Sequence, residues 1–223
     1  MSKRMKVCCA LVTLWALSAM SRAEEPNIEA EKRSFLPLIP NSTYSYNGVF
    51  KGQSWSKSVV IKTLKVADTD VFYFIAEKDV RNPNAILGAE SFGLGGYVKR
   101  PDGIATLDTF FRNELNAFTK TQISAAVTIV KNTPEPGAVA VVASPKKQMN
   151  HTYRVEGHED VTVPAGVFKD CLKIKIEEIH LATPPEKEIV YTGTIWLAKG
   201  VGMVKWIRGT GRVDELASYK IPD

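Results

Sequence analysis

Few residues in this sequence are of the types that perform catalysis or bind metal ions. The three histidines, His151, His158 and His180, fall on different predicted segments, without a close pair that could bring two imidazoles to one metal ion. The triplet His158-Glu159-Asp160 comes nearest to a ligand set. Neighbouring side chains of a strand point to opposite faces, so at most His158 and Asp160 could share a ligand. We therefore predict a solvated strand end there and no metal site.

Cys171 is the candidate nucleophile. The other two cysteines, Cys8 and Cys9, lie in a segment that we expect to be removed, so no intramolecular disulfide could then form. The sequence favours a buried Cys171 that packs as a small apolar residue. The alternative is a hydrolase or thiol enzyme that uses Cys171 with a distant histidine and a lowered pKa.

Motifs of established catalytic and cofactor-binding classes do not occur in the sequence. Gly-x-Ser-x-Gly and His-Glu-x-x-His are both missing, and Gly93-Leu94-Gly95-Gly96 lacks the strand-then-helix setting of a phosphate loop. We therefore predict no catalytic residues, no cofactor and no enzymatic activity.

Residues 1–23 have the features of a secretory signal peptide. Basic side chains within residues 3–6 precede an apolar stretch at 7–20, and Ser21-Arg22-Ala23 places small residues at −3 and −1 of a cleavage site. The apolar stretch is shorter than the roughly 20 residues that span a bilayer. We predict cleavage between Ala23 and Glu24 and, since no cysteine comes directly after the apolar stretch, no lipobox. The expected location is periplasmic or secreted.

The charge of the chain gives no sign of a polyanionic partner. The sequence has 29 basic and 24 acidic residues, a formal charge of +5, but four basic and no acidic residues lie in the first 23. The remainder is nearly neutral and has no Lys/Arg cluster longer than two. This pattern predicts that the protein does not bind nucleic acid.

The remainder of the chain is predicted to be all-β. Residues 24–34 are polar and indicate a flexible N-terminal tail. From 35 to 223, period-two runs bounded by turn residues recur, which predicts a single β-rich domain. We expect a strongly curved antiparallel sheet, an open barrel or a two-layer β structure, with at most one or two short helices. Pro134-Glu135-Pro136-Gly137 could mark an internal seam. Predicted strands cover 43–50, 56–66, 71–77, 91–99, 104–109, 122–130, 139–143, 151–159, 161–163, 171–181, 188–198, 203–208 and 212–220, with a short helix within 110–120.

Two strands carry further information. Leu172, Ile174 and Ile176 alternate with charged residues, which predicts one buried and one solvated face. The consecutive aromatics Phe72-Tyr73-Phe74 place rings on both faces of their strand. Such a strand is covered on both sides, by a second layer of core or by an apolar ligand.

Three stretches resemble the DUF3108-like proteins, a group of exported bacterial β-proteins of unknown function. The resemblance departs conservatively from the family pattern at Val167 and Met203. It implies a strongly curved antiparallel sheet, similar in outline to periplasmic lipoprotein carriers, and no catalytic residues. The stretches are Phe35-Leu36-Pro37-Leu38 with Thr43-Tyr44-Ser45-Tyr46, then residues 163–174 from Val163 to Ile174, and residues 196–205 from Trp196 to Lys205.

These observations favour a soluble, non-enzymatic envelope protein. Its curved sheet would bind or carry a hydrophobic small molecule or lipid, without a membrane span once the signal peptide is removed. One alternative is a protein-interaction module of the cell envelope that pairs through an edge strand. The other is the enzyme that uses Cys171. The sequence assigns no ligand-binding residues.

Overall fold

The computed structural model describes residues 28–76, 95–107, 112–144, 149–180 and 189–222. The predicted signal peptide and the first part of the strand predicted at 91–99 lie outside the described residues and stay predictions.

Twelve antiparallel strands form one continuous sheet, so the predicted all-β class and curved antiparallel sheet are confirmed. Their order in the sheet is β6-β5-β4-β3-β2-β1-β12-β11-β10-β9-β8-β7. The sheet curves until its two edge strands come into contact. The strands are β1 Thr43–Phe50, β2 Gln53–Val66, β3 Thr69–Ala76, β4 Gly96–Arg100, β5 Gly103–Leu107, β6 Val127–Lys131, β7 Val139–Ser144, β8 Met149–Val163, β9 Gly166–His180, β10 Ile189–Ala198, β11 Gly202–Arg208 and β12 Val213–Lys220.

The seam predicted at 134–137 falls where the two edges of the sheet meet. The chain passes there from β6 at one edge to β7 at the other. The connection is held by the backbone, since Gly137 N donates to Val155 O at 2.8 Å and Val155 N donates to Ala138 O at 2.9 Å.

Helix is confined, among the described residues, to three short segments, where one or two were expected. They are α1 Ile28–Glu31, α2 Arg112–Leu115 and α3 Lys120–Ser124. None of these described helices has the length or the apolar character needed to cross a membrane.

The strand predicted over 122–130 is wrong at its start, because residues 122–124 belong to α3. A capping box begins this helix: Gln122 N donates to Thr119 Oγ1 at 3.3 Å, and Thr119 N donates to Gln122 Oε1 at 2.9 Å. These reciprocal bonds satisfy backbone groups at the helix start, which favours helix over an extended run.

The described part of the predicted flexible tail is anchored to the fold. Glu31, at the end of α1, is 8% exposed. Its carboxylate lies 2.5 Å from Lys99 Nζ and accepts a 2.9 Å hydrogen bond from Leu38 N. The tail was expected to be loose because its composition is polar, but one of its charged residues is buried against a cation of β4.

Residues 35–39 fill one end of the concave face of the sheet. Phe35, Leu36, Leu38 and Ile39 are all at most 4% exposed. The cavity beside them, lined by residues such as Tyr46 and Met203, measures only about 20 Å³. This end of the interior is therefore packed by the chain itself.

Both strand-level predictions about burial are confirmed. Leu172 and Ile174 are fully buried and Ile176 is 7% exposed, whereas Lys175 on the other face is partly exposed. Phe72 and Phe74 pack in the main core, while Tyr73 packs on the opposite face in a smaller core that includes Leu115 of α2 and Ile123 of α3. Core packing thus covers both faces of this aromatic run.

Candidate ligand-binding cleft

The concave face of the sheet changes character along its strands. Away from residues 35–39, at the end where β11 finishes and β12 begins, charged and aromatic side chains replace the aliphatic core. The cross-strand pairs of β10 and β11 show this change. Ile195 of β10 pairs with Trp206 of β11, and Gly193, the next residue of β10 on the same face, pairs with Arg208. We call this region the polar end of the concave face.

A buried carboxylate organises the polar end. Asp214 is fully buried, and Arg212 Nε donates to its Oδ1 at 3.1 Å. Arg208 Nη2 and Lys57 Nζ lie 3.8 Å and 3.9 Å from its Oδ2. Burying an unpaired carboxylate would be costly, and the three surrounding cations offset that cost.

Two tryptophans hold the cations in place. The guanidinium carbon of Arg212 lies 4.0 Å from the ring centroid of Trp55, and that of Arg208 lies 3.9 Å from the ring centroid of Trp206. Such cation–π stacking fixes the plane of each guanidinium group. The basic–aromatic cluster consists of Trp55, Lys57, Trp206, Arg208, Arg212 and Asp214.

A cleft of about 290 Å³ opens beside this cluster. Gly193 forms part of its floor, and a β-carbon at that position would lie 3.0 Å from Trp206 Nε1. Trp206 is 7% exposed, and among the described residues its Nε1 has no hydrogen-bond partner. The cleft is lined by Ile176, Glu178, Tyr191, Thr192, Gly193, Trp206, Arg208, Gly209 and Thr210.

The opposite wall of the cleft holds a carboxylate between two histidines. His151 Nε2 donates to Glu178 Oε2 at 3.1 Å, and His180 Nε2 contacts Glu178 Oε1. The hydrogen bond from His151 is the main reason that the pKa of Glu178 lies below its ordinary value of 4.5, and the bond from His180 adds to the effect. His151, Glu178 and His180 form the His–Glu–His cluster.

His151 and His180, which lie on different strands, share Glu178 as a hydrogen-bond partner. The β8–β9 register pairs His151 with Glu178, and His180 lies two residues further on the same face of β9. The spacing of Glu178 and His180 can be read from the sequence, whereas the β8–β9 register that brings His151 to Glu178 cannot. Within the described ranges, no group of three or more His, Cys, Asp or Glu side chains is arranged to hold a metal ion.

Residues 120–208 match the family model described as DUF3108-like. This DUF3108-like segment includes the second and third stretches on which the predicted resemblance rests, and that resemblance is confirmed there. It contains the lining of the cleft except Gly209 and Thr210, whereas Trp55, Lys57, Arg212 and Asp214 of the cluster lie outside it.

Two solved structures are similar to the chain at low identity. One is described as a "putative lipoprotein" from Parabacteroides distasonis ATCC 8503, with 16% identity and a TM-score of 0.42, covering 84% of this chain and 98% of that one. The other is a "putative exported protein with YmcC-like fold" from Bacteroides fragilis NCTC 9343, with the same identity and TM-score, covering 84% and 99%. No curated protein matches the sequence.

A larger groove, of about 460 Å³, lies along β2, β1 and β12. Its lining includes Asn47, Ser56 and Glu215, which are cross-strand neighbours on the outer face, together with Gly48 and Trp55. Asn47 and Ser56 are exposed and the groove is open to solvent. The cleft on the concave face combines buried polar and aromatic groups and is therefore the stronger candidate site.

Cys171, within the DUF3108-like segment, is fully buried as predicted. Its Sγ donates to Phe168 O at 3.5 Å. Burial, reinforced by the nearby carboxylates of Asp160 and Asp170, raises the pKa of the thiol to about 11. The thiol is thus protonated at neutral pH, so the lowered pKa that a cysteine nucleophile requires is not found.

His158 and Asp160 both contact Asp170 of β9 and belong to no metal-binding group among the described residues. His158 Nδ1 bonds Asp170 Oδ1 at 3.0 Å, while Asp160 accepts bonds from Lys169 Nζ at 2.6 Å and from Asp170 N at 3.1 Å. Both residues are exposed, in an irregular part of β8 rather than at its end. Their polar atoms are engaged by the neighbouring strand β9.

Proposed function

We propose that this protein is a non-enzymatic, exported binding protein whose cleft on the concave face takes up a small ligand with an apolar body. The observation that carries this proposal is the cleft itself. Its volume of about 290 Å³ is close to the lower limit of about 300 Å³ for small-molecule sites. Ile176, Tyr191 and Trp206 supply apolar surface, and a few polar groups border it, which is the usual composition of such sites.

The packing of the interior limits the size of the ligand. The cavity beside residues 35–39 measures about 20 Å³, which is room for about one water molecule. A long acyl chain that extended along the whole length of the sheet would have to displace residues 35–39. The packing therefore favours a compact ligand held at the polar end over a long-chain lipid enclosed by the sheet.

Two further features support the proposal. The signal-peptide features of residues 1–23 favour export to the periplasm or beyond. The raised pKa of the buried Cys171 thiol argues against the enzyme alternative that the sequence left open.

The test is a titration of the purified protein with N-phenyl-1-naphthylamine, an uncharged apolar probe that fluoresces when it leaves water. We expect saturable binding that Tyr191→Ala weakens at least fivefold. Tyr219→Ala is the matched control, because Tyr219 is 43% exposed and Tyr191 44% exposed, and only Tyr191 lines the cleft. A lack of saturable binding, or equal weakening in the two variants, would contradict the proposed function.

A further inference from the structure

We infer that the cleft recognises an acidic group on its ligand, a carboxylate or phosphate attached to the apolar body, and that Trp206 and Arg208 receive it. This inference rests on the proposed function and specifies the class of ligand: a compact anionic amphiphile.

The indole of Trp206 supplies a buried donor that lacks an acceptor. Its side chain is 93% buried, and its Nε1–H has no hydrogen-bond partner among the residues that the structure describes. Gly193 lies directly beside this N–H, since a β-carbon there would come within 3.0 Å of Nε1, and both residues line the cleft. Buried donors are almost always paired in folded proteins. An acceptor atom of a ligand at the Gly193 floor would complete this pairing.

The guanidinium of Arg208 makes a charged acceptor the best match. It lies over the same indole, 3.9 Å from the ring centroid, and the arginine lines the cleft. A guanidinium presents five N–H donors in a planar fork, so it can hold more than one acceptor at once. Carboxylates and phosphates are the groups that such a planar donor set binds best, through parallel charge-assisted hydrogen bonds.

Asp214 preorganises the guanidinium of Arg208 for binding. Its buried carboxylate lies 3.8 Å from Arg208 and 3.1 Å from Arg212 Nε. The guanidinium of Arg208 is thus fixed between a carboxylate and an indole face before any ligand arrives. A side chain that is already ordered loses little conformational entropy on binding, which favours affinity.

The opposite wall of the cleft does not attract the acidic group away from Arg208. Glu178 lines it, and both of its carboxylate oxygens are engaged by histidines, His151 at 3.1 Å and His180. The carboxylate of Glu178 offers no hydrogen-bond donor to an anion. It disfavours an anion on that side and directs the acidic group toward Trp206 and Arg208.

The experiment compares ligands that share one apolar chain and differ in charge. Binding of octyl phosphate, 1-octanol and octyltrimethylammonium is measured by calorimetry, with inorganic phosphate as a fourth arm. We expect octyl phosphate to bind at least tenfold more tightly than octanol, and octyltrimethylammonium no more tightly than octanol. Inorganic phosphate should bind more weakly than octyl phosphate, since it lacks the apolar body.

Two variants locate the acidic group. Trp206→Phe removes the N–H and keeps an aromatic ring, and Arg208→Gln removes the charge. Each should lower the preference for octyl phosphate over octanol at least fivefold, with octanol binding little changed. Arg154→Gln is the matched control, because Arg154 is exposed on the outer face of β8. Circular dichroism confirms that each variant is folded, and either variant alone suffices for the test.

The outcomes separate this inference from the proposed function. Equal binding of octyl phosphate and octanol would overturn the inference and leave the proposed function intact. If inorganic phosphate were to bind as tightly as octyl phosphate, the ligand would not need an apolar body, whereas recognition of an acidic group would still be supported. A preference for octyl phosphate that Arg154→Gln reduces as much as Arg208→Gln would overturn the assignment to this cleft.

Discussion

The indole ring of Trp55 occupies the space in which a side chain at position 48 would lie. A β-carbon built on Gly48 would be 2.0 Å from Trp55 Cε2. The two residues are cross-strand partners on β1 and β2. Because Gly48 has no side chain, the indole can approach the backbone of β1 and remain stacked with Arg212, 4.0 Å from its ring centroid. Gly48 is therefore a packing requirement of the basic–aromatic cluster.

Gly48→Ala should lower the free energy of unfolding by about 1–3 kcal/mol, because the added methyl group forces Trp55 to move. In a Trp55→Ala background the same change should cost little or should stabilise the strand, since alanine is favoured over glycine there. Urea unfolding of the four proteins in this double-mutant cycle measures the coupling. Additive effects would mean that the two side-chain positions do not compete for space.

Ile174→Ala should lower the free energy of unfolding by about 2–5 kcal/mol, through lost burial and an unfilled cavity, because Ile174 is fully buried. Lys175→Ala is the matched control on the opposite face. Its ion pair with Glu177 is 3.1 Å long but about 40% exposed, so we expect a change within about 0.5 kcal/mol. Equal urea midpoints for the two variants would contradict the face assignment of β9.

The thiol of Cys171 should resist Ellman's reagent at pH 8. It is fully buried and its pKa of about 11 leaves little thiolate at that pH. Labelling should become fast in urea. A cysteine introduced by Val167→Cys in a Cys171→Ala background gives the exposed reference, since Val167 is 60% exposed. If native Cys171 were to react as fast as this reference, it would be an accessible nucleophile.

Acid should destabilise the protein partly through Glu178. Its pKa is lowered in the fold, mainly by the hydrogen bond from His151, so its stabilising contribution is present above pH 4.5 and is lost as the pH falls through the folded pKa. Glu178→Gln should therefore be less stable than the wild type at pH 7, and the difference should shrink by pH 3. Urea midpoints at the two pH values provide the measurement. If the stability difference between the variant and the wild type were the same at pH 7 and pH 3, the charge of the Glu178 carboxylate would not contribute to stability.

The strands were predictable where hydrophobic alternation is local. The bounds predicted for β1 match the structure, and the alternation within β9 assigned its buried face, because a strand covered on one face alternates every second residue. Residues 122–124 were misassigned because their apolar pattern was considered without the capping box at Thr119.

The candidate site was not predictable in the same way. Lys57 and Trp55 come from β2, whereas Asp214 is the second residue of β12, and no spacing along the chain relates them. Their proximity follows from the pairing of β1 with both β2 and β12. Local sequence patterns indicate which face of a strand is buried, but they do not determine the register between strands that are distant in sequence.

Strands β1 and β12, the first and last in the described chain, lie side by side at the centre of the sheet. Every other pair of neighbouring strands in the described sheet is consecutive in sequence. The halves β1–β6 and β7–β12 can therefore each form as a local meander, while joining them requires closure of a loop nearly as long as the protein, which is slow and entropically unfavourable. Lys57 belongs to the first half, and Arg208 and Asp214 to the second. The lining of the cleft lies wholly within the second half, and the pairing of β1 with β12 completes the cluster behind it by adding Trp55 and Lys57 to the groups around Asp214.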